Sequence, residues 1–172
     1  MRELNLNSLP EEIEKSRSVF ITPENEYWPE QIEDLKAPPF GLVCKGDLSL
    51  LKKRSLAIVG SRNPTSAGVR IAGEFASGFA DLDWVVVSGG AFGIDAAAHQ
   101  GSLIAEGGTI AVLGGGTARV YPKGNERLFQ QIESNGLLLS EVMPRVDAMP
   151  YRFLTRNRII AALSRGTVVV EA

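Results

Sequence analysis

Apolar runs of strand length, alternating with segments long enough for a helix, constrain this chain more than any other feature of its sequence. The runs are Ser55–Gly60 (SLAIVG), 84–89 (WVVVSG), 109–114 (TIAVLG), 136–141 (GLLLSE) and 167–172 (TVVVEA), with 40–45 (FGLVCK) as a sixth. They are β-branched or Leu-rich, as strands prefer, and near-continuously apolar, as strands covered on both faces must be. Between them, 65–82, 92–106, 125–134 and 151–163 are long enough to serve as crossover helices. Such strand–helix–strand units are right-handed. The expected fold is α/β, a doubly wound and mostly parallel sheet.

The acidic stretch before these units contains Pro10, Pro23 and Pro29. It reads as an N-terminal appendage over residues 1–36, made of short helix, strand and turn. Ala37-Pro38-Pro39 forces an extended boundary, because a residue before proline is pushed out of the helical region. Residues 37–172 then form the main domain, and 172 residues in all suit one ordinary domain. With 44% apolar and 22% charged residues, a disordered acidic or basic tail protein is excluded. One cysteine, Cys44, permits no intrachain disulfide, and with one histidine, His99, no Cys/His zinc site can be assembled. No metal and no cofactor is expected. No apolar run approaches the ~20 residues needed to cross a bilayer, so the expected location is cytoplasmic, without a membrane partner.

Charge is unevenly spread around a net of −2: residues 1–51 hold five basic and ten acidic side chains, residues 52–172 thirteen and ten. From Arg119 to Arg165 there are eight basic residues against four acids, a local excess that focuses an anionic ligand if the side chains converge.

Ligands of open α/β sheets bind at the carboxyl ends of the strands, and three glycine loops lie there. In Gly60-Ser61-Arg62-Asn63-Pro64-Thr65, a glycine at the turn, free N–H groups at the next helix and the Ser61 and Thr65 hydroxyls suit a phosphate, with Arg62 as a fixed positive fork. The spacing is neither a dinucleotide fingerprint nor a Walker loop. In the second loop, Ser88-Gly89-Gly90-Ala91-Phe92-Gly93-Ile94-Asp95, Asp95 and His99 are four apart and share a helix face. They read as structural or orienting groups rather than an acid/base pair, since a first-turn carboxylate suits the helix dipole. The third, Gly114-Gly115-Gly116-Thr117, is followed by Lys123, placed before a helix for a second phosphate. Arg156 and Arg158, two apart, point to different sides of a helix, one toward ligand or a neighbour's cap and the other structural.

These blocks, together with Leu139-Ser140-Glu141, Arg156-Asn157-Arg158-Ile159-Ile160-Ala161 and Val170-Glu171-Ala172, resemble the DNA-processing protein A family (DprA, also called Smf). The resemblance covers about residues 20–172. It implies an extended Rossmann-like domain that binds single-stranded DNA and assists RecA loading in natural transformation, and that is not an enzyme. Carried over by position, it implies single-stranded DNA or phosphate contacts at Gly60, Ser61, Arg62, Ser88, Gly89, Gly93, Lys123, Arg156, Asn157 and Arg158. RecA is the implied protein partner, and a homodimer is a further expectation. Bases need aromatic partners, for which Phe92, Tyr121, Tyr151 and Phe153 are the candidates.

Three departures from the family pattern stand out. Trp28 separates Tyr27 from Pro29, Gly90 stands where leucine is commoner, and the chain stops at Ala172 where family members continue. The expectation is a C-terminally shortened relative or fragment, whose last strand leaves an unpaired sheet edge. The alternative function is a nucleotide phosphoribohydrolase of the lysine-decarboxylase-like group, of which Gly114-Gly115-Gly116-Thr117 is a partial echo.

Overall fold

The computed structural model describes residues 9–172. A short helix α1 (Leu9–Lys15) and strand β1 (Val19–Ile21) precede β2 (Leu42–Gly46), with a 3-10 turn between the strands. Then follow β3 (Ser55–Gly60), α2 (Ser66–Asp81), β4 (Val85–Ser88), α3 (Ile94–Ile104), β5 (Thr109–Val112), α4 (Glu126–Asn135), β6 (Leu137–Ser140), α5 (Pro150–Leu163) and β7 (Thr167–Val170). All six expected strands and all four expected helices form. The strands stop earlier than their apolar runs because the backbone beyond them has other partners. Past β4 the Gly89 carbonyl turns to an arginine and Gly90 takes φ +69°, and past β7 Glu171 takes φ +52°.

The seven strands form one sheet in the order β1-β2-β6-β5-β4-β3-β7. β3 to β7 are parallel neighbours, and β1 and β2 join antiparallel through the β2–β6 pair. The N-terminal segment thus supplies an edge strand of the same sheet. From β3 to β6 the chain steps one way, so a common crossover hand puts α2, α3 and α4 on one face; the return step to β7 puts α5 on the other. The cores match. Ile159, Ile160 and Leu163 of α5 pack with Trp28, Ile32, Val87 and Val112, whereas Ala72 and Ala98 pack under Ile58 and Val86, and Phe129 and Ile132 under Leu138. Trp28 is a core residue, 2% exposed, and its indole N–H donates to Glu33 (2.9 Å). Strand order reverses between β3 and β7, which makes the carboxyl end of β3 the topological switch point where such sheets hold ligands.

Candidate functional site

The loop after β3 is built by close approach. A Cβ on Gly60 would lie 1.8 Å from the Val170 carbonyl oxygen, so glycine is required by the packing of β3 on β7 rather than by a turn. Ser61 Oγ accepts from the Asn63 N–H (3.2 Å), and Thr65 caps α2 by accepting from the Gly68 N–H (3.1 Å). The Glu171 carboxylate, leaving β7 alongside, takes the Thr65 N–H (2.8 Å) and the Thr65 hydroxyl. These bonds hold Glu171 below the usual carboxylate range. The open phosphate cradle expected at this helix is therefore already filled by the protein's own carboxylate, a favourable match to the helix dipole. Arg62, the one charged residue of this loop, is exposed.

The second loop is satisfied from within. Asp95, 6% exposed, accepts from the N–H groups of Gly89 (3.1 Å) and Ala91 (3.3 Å). Gly93, at φ +81°, brings this loop against the first, where the Ile94 N–H donates to the Ser61 carbonyl (3.1 Å). Ser88, expected as a phosphate contact, is fully buried and donates to the Ile58 carbonyl (2.6 Å); it braces β4 against β3 and presents nothing to a ligand.

Arg156, 7% exposed, donates to the Gly89 carbonyl (2.7 Å) and to the Val112 carbonyl, closing the ends of β4 and β5. A Cβ on Gly89 would sit 2.1 Å from its guanidinium, so this glycine exists for Arg156. Burial pushes the Asp95 carboxyl up against the attraction of Arg156, and burial also lowers the guanidinium's own value. His99 is fully buried, with Nδ1 2.7 Å from the Thr109 hydroxyl. Because that hydroxyl donates to the Val86 carbonyl (2.8 Å), it accepts from Nδ1–H, leaving Nε2 as a buried lone pair without a partner. Burial lowers its pKa to about 3. Asp95 and His99 thus brace different strands and share no hydrogen bond, although they share a helix face.

The third loop, 114–117, is buried beneath the segment that follows β6: Cβ atoms on Gly115 and Gly116 would collide with the backbone of Ala148 and of Met143 and Pro144. Its close approach is to protein, which removes the cradle that a phosphoribohydrolase reading requires. The basic excess from Arg119 to Arg165 does not converge. Arg119 pairs with Asp147 (2.7 Å), Arg158 with Glu141, and Arg165 lies at the opposite end of the sheet. Arg156 and Arg158 do leave α5 on different sides, as their spacing predicts.

What converges is aromatic and cationic together. Arg62 and Arg156 border one cleft with Phe92, Tyr121 and Phe153. The Arg62 guanidinium lies 5.8 Å from the Phe153 ring centre, and the Tyr121 ring 5.6 Å from Phe153. Phe92 and Tyr121 are 49% and 56% exposed, enough ring area to meet a flat ligand. This cleft adjoins one of ≈ 430 Å³ that Arg62, Arg156 and the exposed Asn157 also line. Tyr121 is shared with a further cleft holding Lys123, so exposed Arg62, half-buried Phe153, exposed Tyr121 and exposed Lys123 follow one another. Gly124 packs under Phe92, and the Asn125 amide donates to the carbonyls of Gly90 (3.0 Å) and Ala91 (3.2 Å), fastening this segment to the second loop. Tyr151 lies apart, under Arg152. The Phe153–Arg156 spacing of three, one helix face, is the signal that groups ring and cation; Glu171 as the occupant of the α2 terminus has no local signal.

The family model for DNA recombination-mediator protein A matches residues 19–172. The chain belongs to this family. It is 37% identical over 99% of its length to the DNA processing protein DprA of Bacillus subtilis, of which it covers 54%. The X-ray structure of DNA processing protein A from Streptococcus pneumoniae superposes with a TM-score of 0.90 at 37% identity, over 99% of this chain and 59% of that one. DNA processing protein A from Helicobacter pylori, whose structure describes a single-stranded DNA binding mode, superposes with a TM-score of 0.80 at 35% identity, over 90% and 70%. The chain spans about half the length of the curated relatives it matches. The span matched to the DNA recombination-mediator protein A model contains the whole Arg62–Lys123 track. Among the described residues no helix is long and apolar enough to cross a membrane, and no cluster of three or more His, Cys, Asp or Glu side chains is placed to hold a metal.

Proposed function

We propose that this chain binds single-stranded DNA along the track from Arg62 through Phe153 and Tyr121 to Lys123. The observation that carries the reading is the joining of the exposed Phe92 and Tyr121 rings with the exposed Arg62 in one cleft at the switch point, with exposed Lys123 in the cleft that shares Tyr121. Stacking platforms beside phosphate-binding cations are what unpaired strands require, because every base offers a π-face and every nucleotide a phosphate. Arg62, Lys123 and Asn157 supply the polar contacts, Phe92, Tyr121 and Phe153 the stacking. Gly60, Gly89, Gly93 and Arg156 act from beneath by fixing the loops, and Arg158 is held by Glu141. The groups with acid/base chemistry, Asp95 and His99, are buried under this surface, so the action is binding rather than catalysis, carried out in the cytoplasm. Family membership supports the remaining roles: RecA as a protein partner, help in loading it onto incoming strands, and self-association.

The test is fluorescence anisotropy of a labelled single-stranded oligonucleotide across salt concentrations. Expected is binding that falls with salt by a log–log slope of about −0.7 per phosphate neutralised, and that strengthens with strand length. Affinity independent of strand length sinks the reading in favour of a mononucleotide site.

A further inference from the structure

At the other end of β3 lies a second cationic cleft, of ≈ 440 Å³. Lys52, Lys53 and Arg54 enter it from the segment leading into the strand, and Arg165 from the turn between α5 and β7. All four are exposed. Lys52 Nζ is spent on the Trp28 carbonyl (3.0 Å), a neutral partner that leaves its charge uncompensated. Lys53 pairs with Asp83 (2.9 Å), a bond between exposed groups that solvent weakens. Arg54 lies over the Trp84 ring, 5.2 Å from its centre, and Arg165 has no ion-pair partner among the described residues. Against the four cations stand Glu30 in the cleft, Asp83 outside it on Lys53, and the carboxyl end of α5, which adds roughly half a negative charge. The cleft remains cationic.

We propose that this cleft is a second site for a single-stranded nucleic acid backbone, independent of the Arg62 track. Ser55 and Gly60 are the two ends of one strand, so the sites lie about 17 Å apart on opposite ends of the sheet. A short strand in one cannot reach the other, and a single chain holds two separate segments at once. The Trp84 ring stands behind Arg54 outside the cleft and holds its guanidinium in place, so four fixed or exposed cations line one cleft, the charge complement of a repeating phosphate backbone. The choice of a nucleic acid rests on the reading of the Arg62 track given above.

The experiment is a stoichiometric titration of the full chain with a homothymidine oligonucleotide too short to bridge the two ends, with circular dichroism confirming the fold of each variant. Two oligonucleotides per chain are expected for the unmodified protein. Lys53→Ala/Arg165→Ala is expected to take one, as is Arg62→Ala/Lys123→Ala, and all four substitutions together none. One oligonucleotide per unmodified chain, unaffected by Lys53→Ala/Arg165→Ala, overturns the second site and leaves the Arg62 reading standing. Binding lost in Lys53→Ala/Arg165→Ala but unaffected by Arg62→Ala/Lys123→Ala breaks the Arg62 reading and keeps this one. No binding by the unmodified chain overturns both. Polyglutamate that displaces the oligonucleotide from the Arg62→Ala/Lys123→Ala chain at equal charge concentration assigns the cleft to an acidic polypeptide instead and overturns the nucleic acid assignment.

Discussion

Arg62 and Arg156 border the same cleft and approach the same Phe153 ring, at 5.8 and 6.0 Å, yet they belong to different layers of the molecule. Arg62 is exposed, and among the described residues its guanidinium meets the ring and no carboxylate. Arg156 is 7% exposed, with Nη1 committed to the carbonyls of Gly89 and Val112 and Nε to the Asn157 side chain. The two share a charge and differ in solvent, and that difference separates a group able to meet a phosphate from one that makes the surface on which it is met. The same division runs through the glycine loops, whose free N–H groups are answered by Asp95 and Glu171 before any ligand arrives.

The comparison breaks most readily at Arg156. Arg156→Ala leaves the Asp95 carboxylate buried without its cation and two strand-end carbonyls without a donor, so a loss of about 3–5 kcal/mol is expected in denaturant unfolding. Gly89→Ala must expel the same guanidinium, and the double variant Gly89→Ala/Arg156→Ala should cost far less than the two single losses added together. Additive losses would show that Gly89 and Arg156 act separately, and a mild Arg156→Ala would move that arginine to the ligand-facing layer.

Tyr121→Ala removes an exposed ring from the track without opening the core. A loss of about 1–3 kcal/mol in binding is expected, the size of one base stack, with unfolding midpoints unchanged. If anisotropy shows no loss, the rings are not the platform, and the cations alone carry the strand.

His99 sharpens the contrast through pH. Its folded pKa of about 3 lies below the ordinary value of 6.5, so the unfolded chain takes up a proton that the folded chain refuses. Stability contributed by this group is complete above pH 6.5 and falls with pH from there toward about 3, at close to 1.4 kcal/mol per pH unit. His99→Gln, compared with the unmodified chain by urea unfolding at pH 7, 6 and 5, should flatten that slope. An unchanged slope would place the acid sensitivity elsewhere.

The layers were unequally legible. Strands and helices could be read because a sheet covered on both faces writes itself as local apolar runs, and even Phe40–Lys45, the weakest run, forms a strand that starts two residues later and ends one later, at Leu42–Gly46. Arg62, Lys123, Phe92 and Tyr121 stand in loops where they can be named from sequence, and Phe153 near the start of α5. Ser88 misled because a serine before two glycines looks the same whether its hydroxyl faces a ligand or, as it does, the Ile58 carbonyl. The Glu171–Thr65 pair joins residues 106 apart, a contact made by β7 returning beside β3, and no local pattern announces it. Convergence of charge is likewise a property of the folded sheet: of the eight basic residues from Arg119 to Arg165, Arg119 and Arg158 go to ion pairs, Arg156 to the interior and Arg165 to the far end, while Lys123 stays exposed beside Tyr121.

The smallest effects are expected at Arg62, and they test the outer layer most directly. An exposed side chain outside any cap or buried pair shifts stability by no more than about 0.5 kcal/mol, so Arg62→Ala should unfold as the unmodified chain does. In binding, the loss of one phosphate partner should make the log–log salt slope shallower by about 0.7. Arg62→Lys separates charge from shape: the ammonium neutralises the same phosphate, so the slope should be retained. It lacks the planar fork that lies over Phe153, so affinity should still fall a few-fold. A lysine variant that binds as tightly as arginine would reduce Arg62 to a point charge, and the pairing of guanidinium and ring at the switch point would then carry no weight in recognition.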